Sequence, residues 1–576
     1  VVNLTAFETF FEERRPFFVE GANIFDFGGL QSLRFFYSRR IGQRPALSAR
    51  GAGAFVEEPS ASTILGAAKL SGKTESGWAV GILNATTQLE RARVTDGPGA
   101  LVLRPPVDPL TNTTAVRIRK DLNGGASYAG VIGTGVVRSL NRTPFADLRD
   151  QAFVGGVDFL HRFADRRYAL QGWMGSSHIT GSPGAMLRAQ RSSARYFQRP
   201  DQDYAVLDPS RTSLTGLAGE LSFAKESGEW LYGFEGSVLS PSFEMNDAGF
   251  QTIADLVALT ANGTKRWVEP TRLFRSANLN VTGSEWRNFG NLTLMRQLSV
   301  SASGQTHGFR RLSVGLTRGF TALDHRATRG GPAMINPAQW SARASVNGDG
   351  RNRISGSLSA NYTADEEGSR LVSISPTIRG RGQGWFSWSL RPGVSWSQEA
   401  AFYVAQPADA EASATFGRRY IFAELEQASI DLTARLDMAI TPTMTLQVYA
   451  QPFVASGDYE RFGALAAPRT FEFLRYGEGG STISRTGDTY TVDADGSGPA
   501  ESAQFQNPDF RLRSFRSNVV LRWEYLPGST LFLVWSQDRA DRQVTDDFDG
   551  VRDLGRIFGE PMRNVFLVKA SYWLDF

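Results

Sequence analysis

Several residue types and patterns are missing from this 576-residue chain. It has no cysteine, which excludes disulfide frameworks, thiolate metal sites and cysteine nucleophiles. No run of 18 apolar residues occurs, so no membrane-spanning helix is expected. The 62 basic and 58 acidic residues nearly balance, which is not the basic footprint of a nucleic-acid-binding protein. Nucleic acid is therefore not an expected partner.

Glycine and aromatic residues are plentiful by contrast. The chain has 59 glycines, 39 phenylalanines, 15 tyrosines and 12 tryptophans. Many short strands joined by many turns, with aromatic belts at two membrane interfaces, would use this mixture. A transmembrane barrel is compatible with the modest overall hydrophobicity, because about half of each strand can be polar.

The last fourteen residues read as one strand with two different faces. Side chains alternate along a strand, so residues two apart share a face. One face carries Phe576, Leu574, Tyr572, Ala570, Val568 and Phe566. The other face is more polar and includes Lys569. An aromatic residue at the very end is typical of bacterial outer-membrane barrels, whereas a soluble edge strand is the alternative.

Alternating stripes and turn signals recur along the chain. Trp340, Ala342, Ala344 and Val346 share one face before the turn at 347–350. Short turns alternate with longer connections, as in outer-membrane barrels.

We predict an all-β fold, a transmembrane antiparallel up-and-down β-barrel of about 22 strands (20 to 26) over residues 30–576. The expected long extracellular loops lie near 43–60, 90–112, 181–212, 321–337, 398–419, 457–510 and 538–562. The C-terminus would then be periplasmic. A soluble sandwich or propeller is the alternative architecture.

Charged and amide side chains lie opposite the aliphatic stripes of the later strands. An arginine at the lipid face near the bilayer midplane costs about 2–4 kcal/mol, so these residues should face a wide, hydrated lumen. The expected lumen-lining residues are Arg435, Asp437, Gln447, Arg516, Arg522, Glu524 and Lys569.

Residues 1–29 do not resemble a barrel strand. Phenylalanines alternate there with charged residues, which would find partners in a polar lumen or at a barrel mouth. We predict a plug or a latch at, or inside, the periplasmic end, with arginines paired to acids of the segment or of the lumen; a first strand beside a solvated charge cluster is the alternative. The plug or constriction residues are Glu8, Glu12, Glu13, Arg14, Arg15 and Glu20.

The start, VVNLTAFETF, has no leader-like pattern, which we interpret as a processed or truncated start.

Few residues suggest catalysis or a cofactor. Asp493 and Asp495 begin like a calcium loop, but the distal glutamate is missing, so calcium in an extracellular loop is a weak candidate and no other cofactor is expected. The pairs Glu12/Glu13 and Glu366/Glu367 are adjacent, so their side chains diverge on an extended chain. A glycosidase needs two facing carboxylates. No catalytic residue is assigned.

Five segments resemble one bacterial family. They are FFEERRPFFVEG (Phe10–Gly21), FFYSRRIG (Phe35–Gly42), AAKLSGKT (Ala67–Thr74), TRGGP (Thr328–Pro332) and YAQPFVASGDYERF (Tyr449–Phe462). The chain is similar to outer-membrane proteins in which a carbohydrate-binding, family-9-like domain precedes a β-barrel domain of unknown function. That first domain is absent from this sequence. The resemblance implies an outer-membrane location and supplies no reaction.

Three functions follow as hypotheses. The first is a channel or translocation pore, gated by the N-terminal segment or by partner proteins. The second is a non-conducting surface scaffold or receptor that binds a glycan or a protein through its long loops. The third is a carbohydrate-processing enzyme, suggested only by the domain fused to relatives. The expected partners are outer-membrane lipid, periplasmic or surface proteins, and a glycan.

Overall fold

The computed structural model describes residues 8–28, 33–53, 55–96, 100–140, 143–382, 384–545 and 548–573. Seven residues at the start of the N-terminal segment lie outside the described residues. So do Leu574 and Phe576 of the predicted last strand.

The dominant element is one large antiparallel sheet of 22 strands, which confirms the all-β class and the predicted strand number. The strands are β1 (Ile64–Lys73), β2 (Trp78–Thr87), β3 (Thr111–Leu122), β4 (Ser127–Arg138), β5 (Arg149–Phe163), β6 (Tyr168–Gly181), β7 (Ser213–Lys225), β8 (Trp230–Leu239), β9 (Leu256–Trp267), β10 (Phe274–Arg287), β11 (Thr293–Thr306), β12 (Arg311–Gly319), β13 (Gln339–Asn347), β14 (Ile354–Asp365), β15 (Arg370–Gly382), β16 (Phe386–Ala405), β17 (Ile421–Thr441), β18 (Met444–Leu465), β19 (Phe473–Arg475), β20 (Phe510–Leu526), β21 (Ser529–Gln543) and β22 (Met562–Ser571).

Strand order in the sheet follows chain order. Each strand pairs with the next one, except that β18 pairs with both the short β19 and the long β20. The other 21 strands therefore form one continuous series. In the described part of the chain, β1 and β22 each pair with a single neighbour. Both run in the same direction, because an even number of antiparallel steps separates them.

The connections of this series alternate between two rims. One rim holds ten short turns, at 74–77, 123–126, 164–167, 226–229, 268–273, 307–310, 348–353, 383–385, 442–443 and 527–528. The other rim, called here the long-connection rim, holds 88–110, 139–148, 182–212, 240–255, 288–292, 320–338, 366–369, 406–420, 466–509 and 544–561. At Gly124 (φ +63°) and Gly125 (φ +83°), the turn after β3 uses left-handed backbone that glycine adopts without strain.

Some predicted boundaries need correction. The stretch 33–41, which the predicted barrel over residues 30–576 includes, is instead the two-residue strand Leu33–Arg34 followed by the 3₁₀ turn Ser38–Arg40. The large sheet begins at Ile64, so the segment that precedes it is longer than residues 1–29. The predicted loops 398–419, 457–510 and 538–562 begin too early, because β16, β18 and β21 continue past those starts. The extensions of β18 (GDYERFGAL) and β21 (DRADRQ) are rich in charged residues, which hid their strand character.

Short helices, 3₁₀ turns and short strands occur in the segment before β1 and in the connections, most of them at the long-connection rim. The helices are α1 (Pro16–Val19), α2 (Pro183–Gln190) and α3 (Gly550–Arg556). The 3₁₀ turns are Ala22–Phe25, Ser38–Arg40, Asn123–Gly125, Thr143–Phe145, Ser413–Thr415 and Ile557–Gly559. The short strands are Leu33–Arg34 with Phe250–Gln251; Phe55–Glu57, Arg93–Thr95 and Leu101–Leu103; Glu90–Arg91 with Pro106–Asp108; Ala322–Asp324 with Met334–Asn336; and Thr482–Thr486, Thr489–Asp493 and Ala503–Gln506. Within the described ranges, no helix combines the length and the apolar character needed to cross a membrane.

The two faces of the large sheet differ in chemistry. We call the face against which the N-terminal segment packs the inner face. On β4, Ile132, Thr134 and Val136 lie on it and are buried. The other face, the outer face, leaves large apolar side chains uncovered, including Val131 at 46% exposure and Leu217 at 61%. Because the pairing is in register, each face continues from strand to strand.

Candidate functional site

The N-terminal segment (residues 8–28 and 33–42) covers the inner face of β1 to β9. Its backbone is irregular: a Pro-initiated single turn, two 3₁₀ turns and one short strand. Its phenylalanines supply the contact instead. The buried aromatic residues of the segment are Phe18, Phe25, Phe27, Phe35 and Tyr37.

The centre of this contact is an aromatic cluster. Phe27 and Phe35 lie 4.3 Å apart by ring centroids, and Phe35 lies 5.3 Å from Trp173 of β6. The sheet makes room for the rings with glycine: a Cβ on Gly156 would lie 2.7 Å from Phe27, and one on Gly175 would lie 2.7 Å from Phe35. Side chains at these two positions would clash with the segment.

Glu13 closes a polar loop within the segment. Its carboxylate accepts hydrogen bonds from Arg15 at 2.6 Å and from the Ser38 hydroxyl at 2.7 Å. Arg15 also donates to the carbonyls of Ser38 (2.8 Å) and Ile41 (2.7 Å). Burial opposes ionisation of Glu13, but the hydrogen bonds from Arg15, Ser38 and two backbone N–H groups outweigh it and lower its pKa to about 2. The first and last parts of the segment are therefore tied together.

Arg40 ties the segment to the connection between β8 and β9. It donates to the carbonyl of Gly249 at 2.8 Å and to Asn246 at 3.1 Å. Its remaining N–H groups bind both oxygens of Glu8, at 2.9 and 2.7 Å. A second link joins the segment to the middle of β1, where the Lys69 ammonium donates to the carbonyls of Phe17 and Glu20.

These contacts place the six predicted plug residues. Glu13 and Arg15 pair with each other, as the expected pairing within the segment allows. Glu8 pairs with Arg40 rather than with Arg14 or Arg15. Glu12 and Glu20 contribute backbone carbonyls, and the side chains of Glu12 and Arg14 are exposed. Whether these residues form a plug or a constriction stays a prediction.

The sheet carries its own ion pair beneath the segment. Arg117 of β3 donates to both oxygens of Asp158 of β5, at 2.8 and 2.7 Å, and the two side chains are 1% and 3% exposed. Arg117 lies 5.3 Å from the ring of Phe27. This pair was missed from sequence, because the partners are 41 residues apart on strands that are not neighbours. It needs no group from the segment.

Within the described residues, the N-terminal segment does not extend over the inner face of β10 to β16, called here the uncovered inner face. Its side chains are mainly hydroxyls in register across neighbouring strands. One row comprises Thr282, Ser299, Thr317, Ser341 and Thr363, and a second comprises Ser303, Ser313, Ser345, Ser359 and Ser375. All ten are half-buried rather than buried. Hydroxyls bind one another across strands, as between Ser313 and Ser345 at 2.7 Å.

The predicted lumen-lining residues lie on the inner face of the later strands, β17 to β22. Arg435 opposes Tyr449 and Asp437 opposes Gln447 in the pairing of β17 with β18. Arg516, Arg522 and Glu524 follow on the same face of β20, and Lys569 of β22 pairs with Phe532 of the same face. Register thus brings them onto one surface, and their role in a lumen stays a prediction.

The long-connection rim contains a second buried polar network that sequence reasoning missed. Asp255 accepts hydrogen bonds from Arg199 (2.9 Å) and from the Tyr204 hydroxyl (2.5 Å). Nearby, His325 contacts Asn288 at 3.1 Å. Burial, together with Arg199 and Arg326, holds the pKa of His325 well below its usual value. The neutral ring thus completes a packed junction between four connections. No spacing pattern in the sequence marks this junction, since its members come from distant connections.

The calcium candidates make turn contacts. Asp493 accepts hydrogen bonds from the N–H groups of Asp495 (3.2 Å) and Gly496 (2.9 Å), and Asp495 accepts from Gly498 (3.1 Å). Across the described ranges, no group of three or more His, Asp or Glu side chains is arranged to hold a metal ion. Calcium binding stays a prediction.

The sheet, its covered and uncovered inner faces and its apolar outer face define a large antiparallel all-β protein. The chain belongs to the family described as a domain of unknown function (DUF5916), whose sequence pattern matches residues 1–576. The link to a carbohydrate-binding domain stays a prediction. No curated protein matches the chain.

Solved structures give distant matches. The FrpB iron transporter from Neisseria meningitidis (F3-3 variant) is 10% identical with a TM-score of 0.38, over 82% of this chain and 74% of that one. The siderophore receptor PirA from Acinetobacter baumannii is 9% identical with a TM-score of 0.37, over 87% and 74%. The copper transporter OprC is 9% identical with a TM-score of 0.31, over 87% and 78%. At this level of similarity, the ligands of those proteins say nothing about this chain.

Proposed function

We propose that the chain is a bacterial outer-membrane β-barrel that acts as a channel, with the N-terminal segment inside it as a partial plug. The observation that carries this proposal is the division of one inner face into a covered part and an uncovered, hydroxyl-lined part. The uncovered inner face would line the path of a polar solute. The covered part would be the region from which the segment is displaced when the channel widens.

The outer face supports a membrane location. Leu259 is 62% exposed and Val314 is 59% exposed, and such residues recur on strand after strand. Burying a side chain of this size away from water contributes about 1.5–3 kcal/mol, so hydrocarbon is the solvent that this face favours. Apart from β19, every strand has at least nine residues, which is enough to cross a bilayer.

Membrane insertion requires that both sheet edges find partners, because unpaired backbone groups are costly in hydrocarbon. We therefore propose that the 21-strand series closes by bringing β22 beside β1. The two strands run in the same direction, so this closing pair would be parallel. With β22 ending at the rim of short turns, that rim and the C-terminus would be periplasmic, and the long-connection rim extracellular.

The ion pair beneath the segment supports a displaceable plug. A permanent core would favour apolar side chains on the sheet, yet Arg117 and Asp158 pair through two hydrogen bonds without help from the segment. When water replaces Phe27, the sheet loses no polar partner. The segment's contacts to the rim are the short strand pair Leu33–Arg34 with Phe250–Gln251 and the hydrogen bonds of Arg40, which a partner protein could also displace.

An engineered disulfide bond between the segment and β1 tests this proposal. Because the chain has no native cysteine, no other disulfide bond can form. A Cβ built on Gly21 lies 3.4 Å from the Cβ of Ser71 of β1, close to the 3.5–4.5 Å of a disulfide. The full chain carrying Gly21→Cys and Ser71→Cys would be reconstituted in planar bilayers. We expect the widest conductance state to disappear on oxidation and to return on reduction, while the Ser71→Cys single variant conducts equally in both conditions.

Two outcomes separate the parts of the proposal. Identical conductance of the double variant in both redox states would contradict gating by the segment and leave a channel. Absence of conductance from the wild-type chain in every condition would contradict the channel itself.

The second candidate is a surface scaffold or receptor, and one observation favours it. The connection between β18 and β20 folds into its own three-stranded sheet, sealed by Phe462, Tyr490 and Phe505 with ring centroids 4.8–5.5 Å apart. A preformed loop of this kind suits recognition of a protein or glycan. A chain that binds a surface partner only while this loop is present, and that never conducts, would fit this function.

A further inference from the structure

A polar cavity of about 260 Å³ lies where the N-terminal segment, the sheet and the long-connection rim meet. Arg40 to Gln43 form its segment side. Thr87, Thr113, Arg138 and Arg149, near the rim ends of β2 to β5, form its sheet side. The remaining wall comes from α2 and from the connections, through Ser62, Asp108, Asp147, Arg188 and Asp247. None of the plug or lumen residues predicted from sequence lines it.

The charged groups around this cavity satisfy one another. The Asp247 carboxylate accepts hydrogen bonds from the guanidinium groups of Arg138, at 2.7 Å, and Arg149, at 2.5 Å. Burial opposes ionisation of Asp247, but these guanidinium groups outweigh it and lower its pKa. Arg40 is paired with Glu8, and Arg188 lies 3.5 Å from Asp147. Each of the four arginines that line the cavity therefore already has a carboxylate partner.

Asp108 is also satisfied, by neutral groups. It accepts hydrogen bonds from the Ser62 hydroxyl at 2.6 Å and from the N–H of Ala46 at 3.2 Å. Burial raises its pKa. A carboxyl group in this setting is a hydrogen-bonding partner rather than an anchor for a cation.

Two hydroxyls remain free. Thr87 and Thr113 lie on the inner face and line the cavity, each residue is 6% exposed, and neither hydroxyl makes a hydrogen bond within the described part of the chain. Because a hydroxyl can both donate and accept, these two groups favour a cavity occupant that also accepts and donates hydrogen bonds. The remaining N–H groups of Arg138 and Arg149 add donors beside them.

We infer that this cavity binds a neutral, polyhydroxylated molecule of monosaccharide size. Hydroxyl groups of such a ligand can donate and accept at once, which matches the free threonines and the guanidinium donors. The volume equals that of about nine water molecules and lies below the range of pockets for drug-sized ligands, so one sugar ring fits. The ligand would contact Arg40 to Gln43 on one side and the sheet on the other, so its binding holds the N-terminal segment in place.

Calorimetry on the full chain tests this inference, and it does not depend on conduction. The protein would be held in a detergent without a sugar headgroup, since glycoside detergents would compete. Glucose, galactose and mannose are the probes, with glucuronate and inorganic phosphate as charged comparisons. We expect saturable binding of at least one neutral hexose, with glucuronate and phosphate at least tenfold weaker.

Matched threonine variants locate the binding. Thr113→Val and Thr87→Val each remove a cavity hydroxyl and should weaken hexose binding at least fivefold. Thr134→Val is the control, because Thr134 is equally buried on the inner face and lies outside the cavity. Binding unaffected by the two cavity variants, preference for glucuronate or phosphate, or no heat from any hexose would each overturn the inference.

Discussion

The two parts of the inner face are built on the same sheet and differ in almost everything else. Beneath the N-terminal segment, the face holds glycines, aromatic residues and a buried ion pair. Along β10 to β16 it holds rows of hydroxyls that stay half-buried. The outer face, however, exposes the same types of aliphatic side chain on β1 to β9 and on β10 to β16. The difference shows that the side chains of the inner face vary with what packs against them. The side chains of the outer face are of one apolar type throughout, as a single uniform environment would require.

The largest expected effect compares two arginines of the inner face. Arg117→Ala should destabilise the protein by about 3–5 kcal/mol, because it leaves the Asp158 carboxylate buried without its partner. Arg343→Ala on the uncovered inner face should cost at most about 1 kcal/mol, because Arg343 is exposed and bonds only Asn361, at 2.7 Å. Urea unfolding in detergent micelles measures both. Equal losses would remove the distinction between the two parts.

The next effect concerns the outer face, where the two parts should agree. Val131→Arg in the covered part and Val314→Arg in the uncovered part should each cost about 2–4 kcal/mol in lipid vesicles, because both side chains would face hydrocarbon. Unfolding in vesicles gives the values, and the same variants in water-soluble amphipol should lose less. A harmless substitution at either position would mean that its outer face does not contact lipid.

How much of this could be read from the sequence depends on the range of the interaction. The strand number, the alternating connections and the shared face of Arg435 and Gln447 follow from period-two patterns, which are local. The motif FFEERRPFFVEG indicated a special segment, and Glu13 does pair with Arg15 two residues away. Arg117 with Asp158 and Arg40 with Gly249 could not be predicted, because their separations of 41 and 209 residues are set by register and by the path of the segment.

A glycine in each part provides a steric comparison. Gly175→Val should displace Phe35, whose ring atoms would lie 2.7 Å from the new Cβ, and overpacking of this kind costs about 1–3 kcal/mol. Gly315→Val should be nearly neutral, since the closest atom to its new Cβ is 3.6 Å away. Limited proteolysis of the segment, followed by mass spectrometry, reads out the displacement. A segment equally protected in both variants would show that Phe35 is not needed to hold it.

The smallest effect is the pH dependence of one carboxylate in the N-terminal segment. The Glu13 carboxylate has its pKa lowered to about 2 in the folded chain, against 4.5 when unperturbed, so its stabilising contribution is complete above pH 4.5 and is lost as the pH falls toward 2. Glu13→Gln should remove this dependence and loosen the segment by about 1–2 kcal/mol at neutral pH, because a charge-assisted bond to Arg15 is replaced by a neutral one. Hydrogen exchange of the segment amides between pH 2.5 and 6 measures the change, with the strand amides of β12 as the internal control. If the wild-type segment exchanged no faster at the acidic end, once corrected for intrinsic rates, Glu13 would not be what ties its two ends together.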